Sequence, residues 1–124
     1  QGAQRLEQNC WVLIFPEGTR MPAGELGKFS RGGSSLAVNA GLPVLPISHN
    51  AGMFWPKAGW GKKPGVIDVV IGPAMYAEGE GPRAIAALNQ RAYEWIAQAQ
   101  FDTGALSAEK LAEITGSAAK PANE

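Results

Sequence analysis

The chain has 124 residues, with 11 basic and 11 acidic side chains and a formal net charge of zero; this fits one modest domain and lacks the basic excess of a nucleic-acid-binding protein. One cysteine and one histidine exclude an internal disulfide framework, a Cys-based zinc site and any two-histidine metal site within the chain. No apolar run reaches the ~18 residues of a membrane-spanning helix, and no charged start followed by an apolar stretch marks a signal segment.

Residues 3–8 read as the end of a helix, and a chain opening at Gln1 reads as cut from something longer. Trp11, Val12, Leu13, Ile14 and Phe15 form a short apolar run stopped by Pro16, the pattern of a strand buried on both faces. Residues 16–30 carry three glycines and two prolines and predict a long loop. A helix is expected over residues 32–40, with Gly41 as its stop. A second strand is expected over 43–48, a loop over 49–65, and a third strand over 66–71, ended by Gly72 and Pro73.

From residue 82 to about 100, Ile85, Leu88, Ala92, Trp95, Ile96 and Ala99 recur at helical spacing, with Pro82 suited to the first position. A weak helix over 107–114 and a frayed end over 116–124 complete the chain. The expected organisation is a domain over residues 1–103 and a weakly helical or disordered tail over 104–124. Strand, loop plus helix, strand is a βαβ unit with a right-handed crossover, so the fold class is α/β: a partial mixed or parallel sheet with flanking helices. Strands of the buried type need neighbours on both sides, so part of the sheet is expected to be missing, with an exposed edge and poor stability in isolation.

The chemistry concentrates at Phe15-Pro16-Glu17-Gly18-Thr19-Arg20, at the carboxyl end of the first expected strand, where open α/β sheets collect ligands. Gly18 permits close backbone approach, Thr19 offers a hydroxyl, and Arg20 offers a planar fork that matches phosphate oxygens in pairs. Lys28 and Arg31 flank the helix start at Gly32-Gly33-Ser34, whose unpaired N–H groups favour an anion. These groups can converge on one phosphate. Equally, Arg20 can pair with Glu17 or Glu25 on the surface, a contact worth ~0–1 kcal/mol, and Lys28 and Arg31 can be solvated loop charges.

Two glycine patterns fail: residues 27–34 resemble a P-loop whose lysine is replaced by Gly33. Gly79-Glu80-Gly81-Pro82-Arg83-Ala84 is a relaxed dinucleotide fingerprint, but Glu78 and Glu80 would repel a pyrophosphate.

With its F-P-E-G-T-R segment the chain resembles the glycerolipid acyltransferases, most closely the bacterial 1-acyl-sn-glycerol-3-phosphate acyltransferases. The likeness runs from about residue 8 to 81, and more loosely to 100. After Phe15 to Arg20 it continues through Lys28-Phe29-Ser30-Arg31-Gly32-Gly33 and Gly41-Leu42-Pro43-Val44-Leu45-Pro46-Ile47. His49-Asn50-Ala51-Gly52 before Phe54-Trp55-Pro56, then Pro64-Gly65 and Ile71-Gly72-Pro73, complete it.

The resemblance implies a glycerol-3-phosphate acyltransferase-like fold whose N-terminal catalytic part is missing here. It implies acceptor-phosphate binding by Glu17, Gly18, Thr19 and Arg20, with Arg20 as the phosphate ligand, and a donor-side role for residues 44–47. Where the family often has Lys after the Phe of the basic segment, Ser30 stands here, which shifts phosphate binding toward Lys28 and Arg31.

The implied enzyme transfers a fatty acyl group from acyl-CoA or acyl carrier protein to the free hydroxyl of lysophosphatidate, giving phosphatidate, with no metal or redox cofactor. Its implied place is the cytoplasmic face of the cell membrane.

Catalysis is where the chain departs from the family. The family's H-x-x-x-x-D motif supplies a general base and its orienter; here the only histidine is His49, followed five places on by Phe54, and it comes after F-P-E-G-T-R. His49 reads instead as a strand-end histidine hydrogen-bonded to loop backbone. Phe54, Trp55, Lys57, Trp60, Lys62 and Lys63 mix aromatics with cations, which suits a headgroup interface and equally suits packing over the sheet. Two rival readings stand beside the enzyme: a non-catalytic phospholipid- or phosphate-binding module, and a soluble phosphate- or nucleotide-binding βαβ domain. With no H-x-x-x-x-D, the 124-residue chain alone is expected to turn over no lysophosphatidate; phosphatidate formation by the purified chain would overturn this.

Overall fold

A computed structural model describes residues 4, 8, 10–17, 26–51 and 64–116. Among them the regular elements are α1 (Gly32–Ala40), β1 (Ile47–His49), β2 (Val69–Ile71), α2 (Gly81–Asp102) and α3 (Ala108–Thr115). The architecture is a small α/β arrangement in which α2 lies against α1, β1 and α3.

Helix α1 has the expected bounds. It stops at Gly41, whose left-handed backbone (φ 70°) brings the Gly41 N–H to the Val38 carbonyl and the Leu42 N–H to that of Ala37, at 3.2 and 3.0 Å. Only glycine adopts this geometry at low cost. Helix α3 is also closed locally: the Ser107 hydroxyl accepts from the Lys110 N–H at one end, and Gly116 turns left-handed at the other. Near the amino end, the Gln8 N–H reaches the Gln4 carbonyl at 3.2 Å, a helical i→i−4 bond; the rest of the helix end expected there lies outside the described residues, as do residues 117–124.

Strands β1 and β2 pair antiparallel, with Ile47 opposite Ile71, Ser48 opposite Val70 and His49 opposite Val69. The ladder reaches beyond them: Val44 and Met75 exchange both backbone bonds at 2.8 and 2.7 Å, and the Gly72 N–H donates to the Pro46 carbonyl at 2.8 Å. The expected segments 43–48 and 66–71 are therefore sheet neighbours, each shorter as a strand than the sequence suggests.

The sheet differs from expectation in one respect. Among the described residues there is no parallel pair, and residues 11–15 are not in a strand. Trp11, Leu13 and Phe15 stand 89%, 72% and 73% exposed. A run of this kind is stable as a strand when neighbours cover both its edges and its faces, and the described sheet has two strands only, with residues 44–50 paired to 68–75. Ile14 packs over Gly33, where an added Cβ would lie 2.9 Å from its Cδ1.

The core is Ala37, Met75, Leu88 and Ala92, with Val38, Val44, Ala77 and Trp95 packed around it. Of the stripe expected on α2, Leu88, Ala92 and Ala99 are buried, while Ile85, Trp95 and Ile96 are half-buried at its margin. Trp95 lies across the sheet where Gly72 leaves room: a Cβ at Gly72 would come within 2.5 Å of the indole and 3.0 Å of Pro46 Cγ. Both neighbours are stiff, so Gly72→Ala should cost about 1–3 kcal/mol by overpacking. Thermal unfolding followed by circular dichroism should show a clearly lowered Tm, and an unchanged Tm would refute the tight contact.

Candidate functional site

Three pieces of chain meet where the sequence places its phosphate chemistry: residues 16–17, residues 26–31 and one face of α2. The Ser30 N–H donates to the Pro16 carbonyl at 2.8 Å, and the Gly27 N–H donates to Glu17 Oε2. These two bonds tie the proline-glutamate step to the basic segment. An ionised carboxylate only accepts hydrogen bonds, and Glu17 spends this capacity on backbone.

Phe29 fixes the segment to α2. Its side chain is buried, and its ring meets Tyr93 edge-on with centroids 4.8 Å apart, a favoured aromatic geometry. Its carbonyl accepts a long bond, 3.4 Å, from Asn89 Nδ2. Asn89 Oδ1 in turn accepts from the buried Ser34 hydroxyl at 3.0 Å. Positions 89 and 93 are four apart and share a helix face, so one turn of α2 holds Phe29 by ring and by backbone.

Lys28 and Arg31, on either side of that anchor, are exposed. Among the described residues the ion pair seen is Lys110–Glu113, and neither Lys28 nor Arg31 takes part in one. Arg31 is also the N-cap position of α1, without a side-chain cap, and the first-turn N–H groups of a helix have no intrahelical partners. Two cations thus stand at the positive end of a helix dipole, an arrangement that attracts an anion.

Partial burial raises the Glu17 carboxyl above its ordinary range, while the Gly27 N–H and the charge of His49 pull it back. Tyr93 is pushed upward by burial and by the Glu17 charge. Glu17, His49 and Tyr93 therefore share one neighbourhood. His49 ends β1, and its Nδ1 accepts from the Ala51 N–H at 3.2 Å. This is the strand-end histidine bonded to loop backbone that the sequence suggests.

Of the six residues expected to bind the acceptor, the structure describes Glu17, Lys28 and Arg31, and brings Glu17 against the segment that carries the other two. Gly18, Thr19 and Arg20 lie outside the described residues. So do Phe54, Trp55, Lys57, Trp60, Lys62 and Lys63. Sequence reasoning missed Asn89 and Tyr93; the signal available was a polar–aromatic pair at i, i+4 beside the apolar stripe of α2. Among the described residues no group of three or more His, Cys, Asp or Glu is placed to hold a metal, and no helix is long and apolar enough to cross a membrane.

The family profile described as Acyltransferase matches residues 1–50. A 1-acyl-sn-glycerol-3-phosphate acyltransferase of Pseudomonas aeruginosa is 72% identical over 98 residues, covering 79% of this chain and 38% of that protein. The 1-acyl-sn-glycerol-3-phosphate acyltransferase alpha of Mus musculus is 36% identical over 85 residues, 67% of this chain and 30% of its own length. Its Homo sapiens counterpart is 36% identical over 87 residues, 69% of this chain and 31% of its own. The chain spans well under half the length of these curated relatives. No solved structure matches it.

The raised Glu17 carboxyl has a pH signature. A group whose folded pKa exceeds its unfolded value, here 4.5, contributes stability fully present below 4.5 and lost as pH rises through the folded pKa. Glu17→Gln keeps an oxygen for the Gly27 N–H and removes the buried charge. Its Tm should exceed that of the wild type at neutral pH, and the gap should close as pH falls below 4.5. A gap independent of pH would show that desolvation of the charge is not the cause.

Proposed function

We propose a function from one premise: the chain belongs to the acyltransferase family, as a close but partial homologue of 1-acyl-sn-glycerol-3-phosphate acyltransferase. The protein of which it forms part transfers a fatty acyl group from acyl-CoA or acyl carrier protein to the free hydroxyl of 1-acyl-sn-glycerol 3-phosphate. The product is phosphatidate. The observation that carries this reading is the 72% identity over 98 residues to the Pseudomonas aeruginosa protein.

In the reaction a base takes the hydroxyl proton, and the oxygen attacks the thioester carbonyl carbon. The C–S bond then breaks, and the thiolate leaves and regains a proton. No metal or redox step is required. The part of this chain is acceptor-phosphate binding by Glu17, Gly18, Thr19, Arg20, Lys28 and Arg31. Lys28 and Arg31 at the uncapped start of α1 supply positive charge, and the Arg20 fork supplies paired donors to phosphate oxygens. Glu17 serves this site from the side, on the Gly27 N–H.

Proton transfer falls to an H-x-x-x-x-D outside this chain. His49 is not the base: its Nδ1 is taken by the Ala51 N–H, and no aspartate follows at the family spacing. In the complete domain, residues 11–15 become a strand of a partly parallel sheet. The complete protein works at the cytoplasmic face of the cell membrane, where its lipid substrates reside.

The test is kinetic. In the complete enzyme Arg20→Ala should raise the acceptor KM about tenfold to a hundredfold, the equivalent of one charge-assisted hydrogen bond, and leave the donor KM near its wild-type value. An unchanged acceptor KM would remove Arg20 from the phosphate site. Binding of lysophosphatidate without any turnover by the complete wild-type protein would favour the non-catalytic module instead.

A further inference from the structure

We infer that Asn89 of α2 is a positioning residue for the acceptor phosphate, acting through Phe29 and Ser34 on the cations Lys28 and Arg31; this rests on the acceptor-phosphate reading above. Asn89 lies outside the stretch matched by the family profile, residues 1–50, and its hydrogen bonds among the described residues go to Ser34 and Phe29 and not to Glu17, Lys28 or Arg31. What it touches is the Phe29 carbonyl between the two cations and the Ser34 hydroxyl in the first turn of α1.

The amide uses both of its ends. Oδ1 takes the Ser34 hydroxyl at 3.0 Å, and Nδ2 gives to the Phe29 carbonyl at 3.4 Å. Phe29 lies before Arg31 and the start of α1, and Ser34 lies in its first turn. One side chain therefore bridges the loop and the helix whose junction carries the positive charge. Tyr93, one turn further along the same face, holds the Phe29 ring and stops the segment rotating about the Asn89 contact.

The consequence is directional. With Phe29 turned inward to α2, its neighbours Lys28 and Arg31 remain on the outside, both exposed. Long cationic side chains lose conformational freedom on binding an anion; a fixed backbone limits the further loss from their main chain. Asn89 thus adds to phosphate affinity without meeting the phosphate. Ser34 is 5% exposed, so losing the amide leaves its buried hydroxyl without the Asn89 partner.

The experiment uses the complete enzyme, with acceptor KM, donor KM and Tm measured for Asn89→Leu, Ser34→Ala and the double variant Lys28→Ala/Arg31→Ala. Asn89→Leu keeps the size and removes both bonds. It should raise the acceptor KM about threefold to tenfold, the equivalent of one net hydrogen bond, with the donor KM within about twofold. Ser34→Ala should move the acceptor KM in the same direction by less. Added to Lys28→Ala/Arg31→Ala, Asn89→Leu should have no further effect on the acceptor KM, because a residue acting through those cations has nothing left to position.

A folded Asn89→Leu with wild-type acceptor KM overturns the inference, as does an equal rise in both KM values or a full additive effect on the double variant. Should Asn89→Leu fail to fold, Ser34→Ala decides: an unchanged acceptor KM overturns the inference. If Lys28→Ala/Arg31→Ala raises the acceptor KM and Asn89→Leu does not, the inference alone fails. If the double variant leaves the acceptor KM unchanged, the phosphate-site reading fails and takes the inference with it.

Discussion

The contact of Leu88 and Ala92 of α2 with Ala37 of α1 and with Met75 is the one on which the rest of the structure depends. A two-stranded sheet is marginal in water without a partner layer, and a nine-residue helix such as α1 is marginal by itself. Neither has reason to persist until α2 covers it. Leu88, 1% exposed, contributes about 1.5–3 kcal/mol by burial, a large part of what a core this small can supply. Ala37 and Ala92 let the helices come close, and Met75 fills the irregular space left beside the sheet. Once this layer is in place, Asn89 and Tyr93 follow on the adjoining face of the same helix.

Features written into a few adjacent residues were the legible ones. The bounds of α1 follow from Gly41, and those of α3 follow from Ser107 and Gly116, because a cap is a local hydrogen-bonding event. The 3.6-residue stripe marks α2 for the same reason. Strand partners are another matter. Trp11, Val12, Leu13, Ile14 and Phe15 have the composition of a buried strand, but composition does not supply the neighbour that pairs with it. The sequence also suggests strands at 43–48 and 66–71 without revealing that they run antiparallel to each other.

The site divides along the same line. The string from Phe15 to Arg20 and the basic residues Lys28 and Arg31 can be read in order along the chain. What holds Phe29, between the two cations, cannot: Ser34 and Asn89 are 55 residues apart, and Phe29 and Asn89 are 60 apart. Glu17 shows the limit of reading by charge alone. A carboxylate among basic residues looks out of place until its Oε2 is seen on the Gly27 N–H, where negative charge organises the loop. Its partial desolvation is the cost of that placement.

The clamp on Phe29 also sets an order of events during synthesis. Its two holding groups, Asn89 and Tyr93, are translated 60 and 64 residues after it. At ~5–20 residues per second that separation is roughly 3–13 s, far longer than the microseconds a hairpin or helix needs to form. Throughout this interval Phe29 and the basic residues beside it have nothing from α2 to hold them. The hold on the segment from Lys28 to Arg31 thus closes only after α2 is made, long after the turns of α1 can form by themselves.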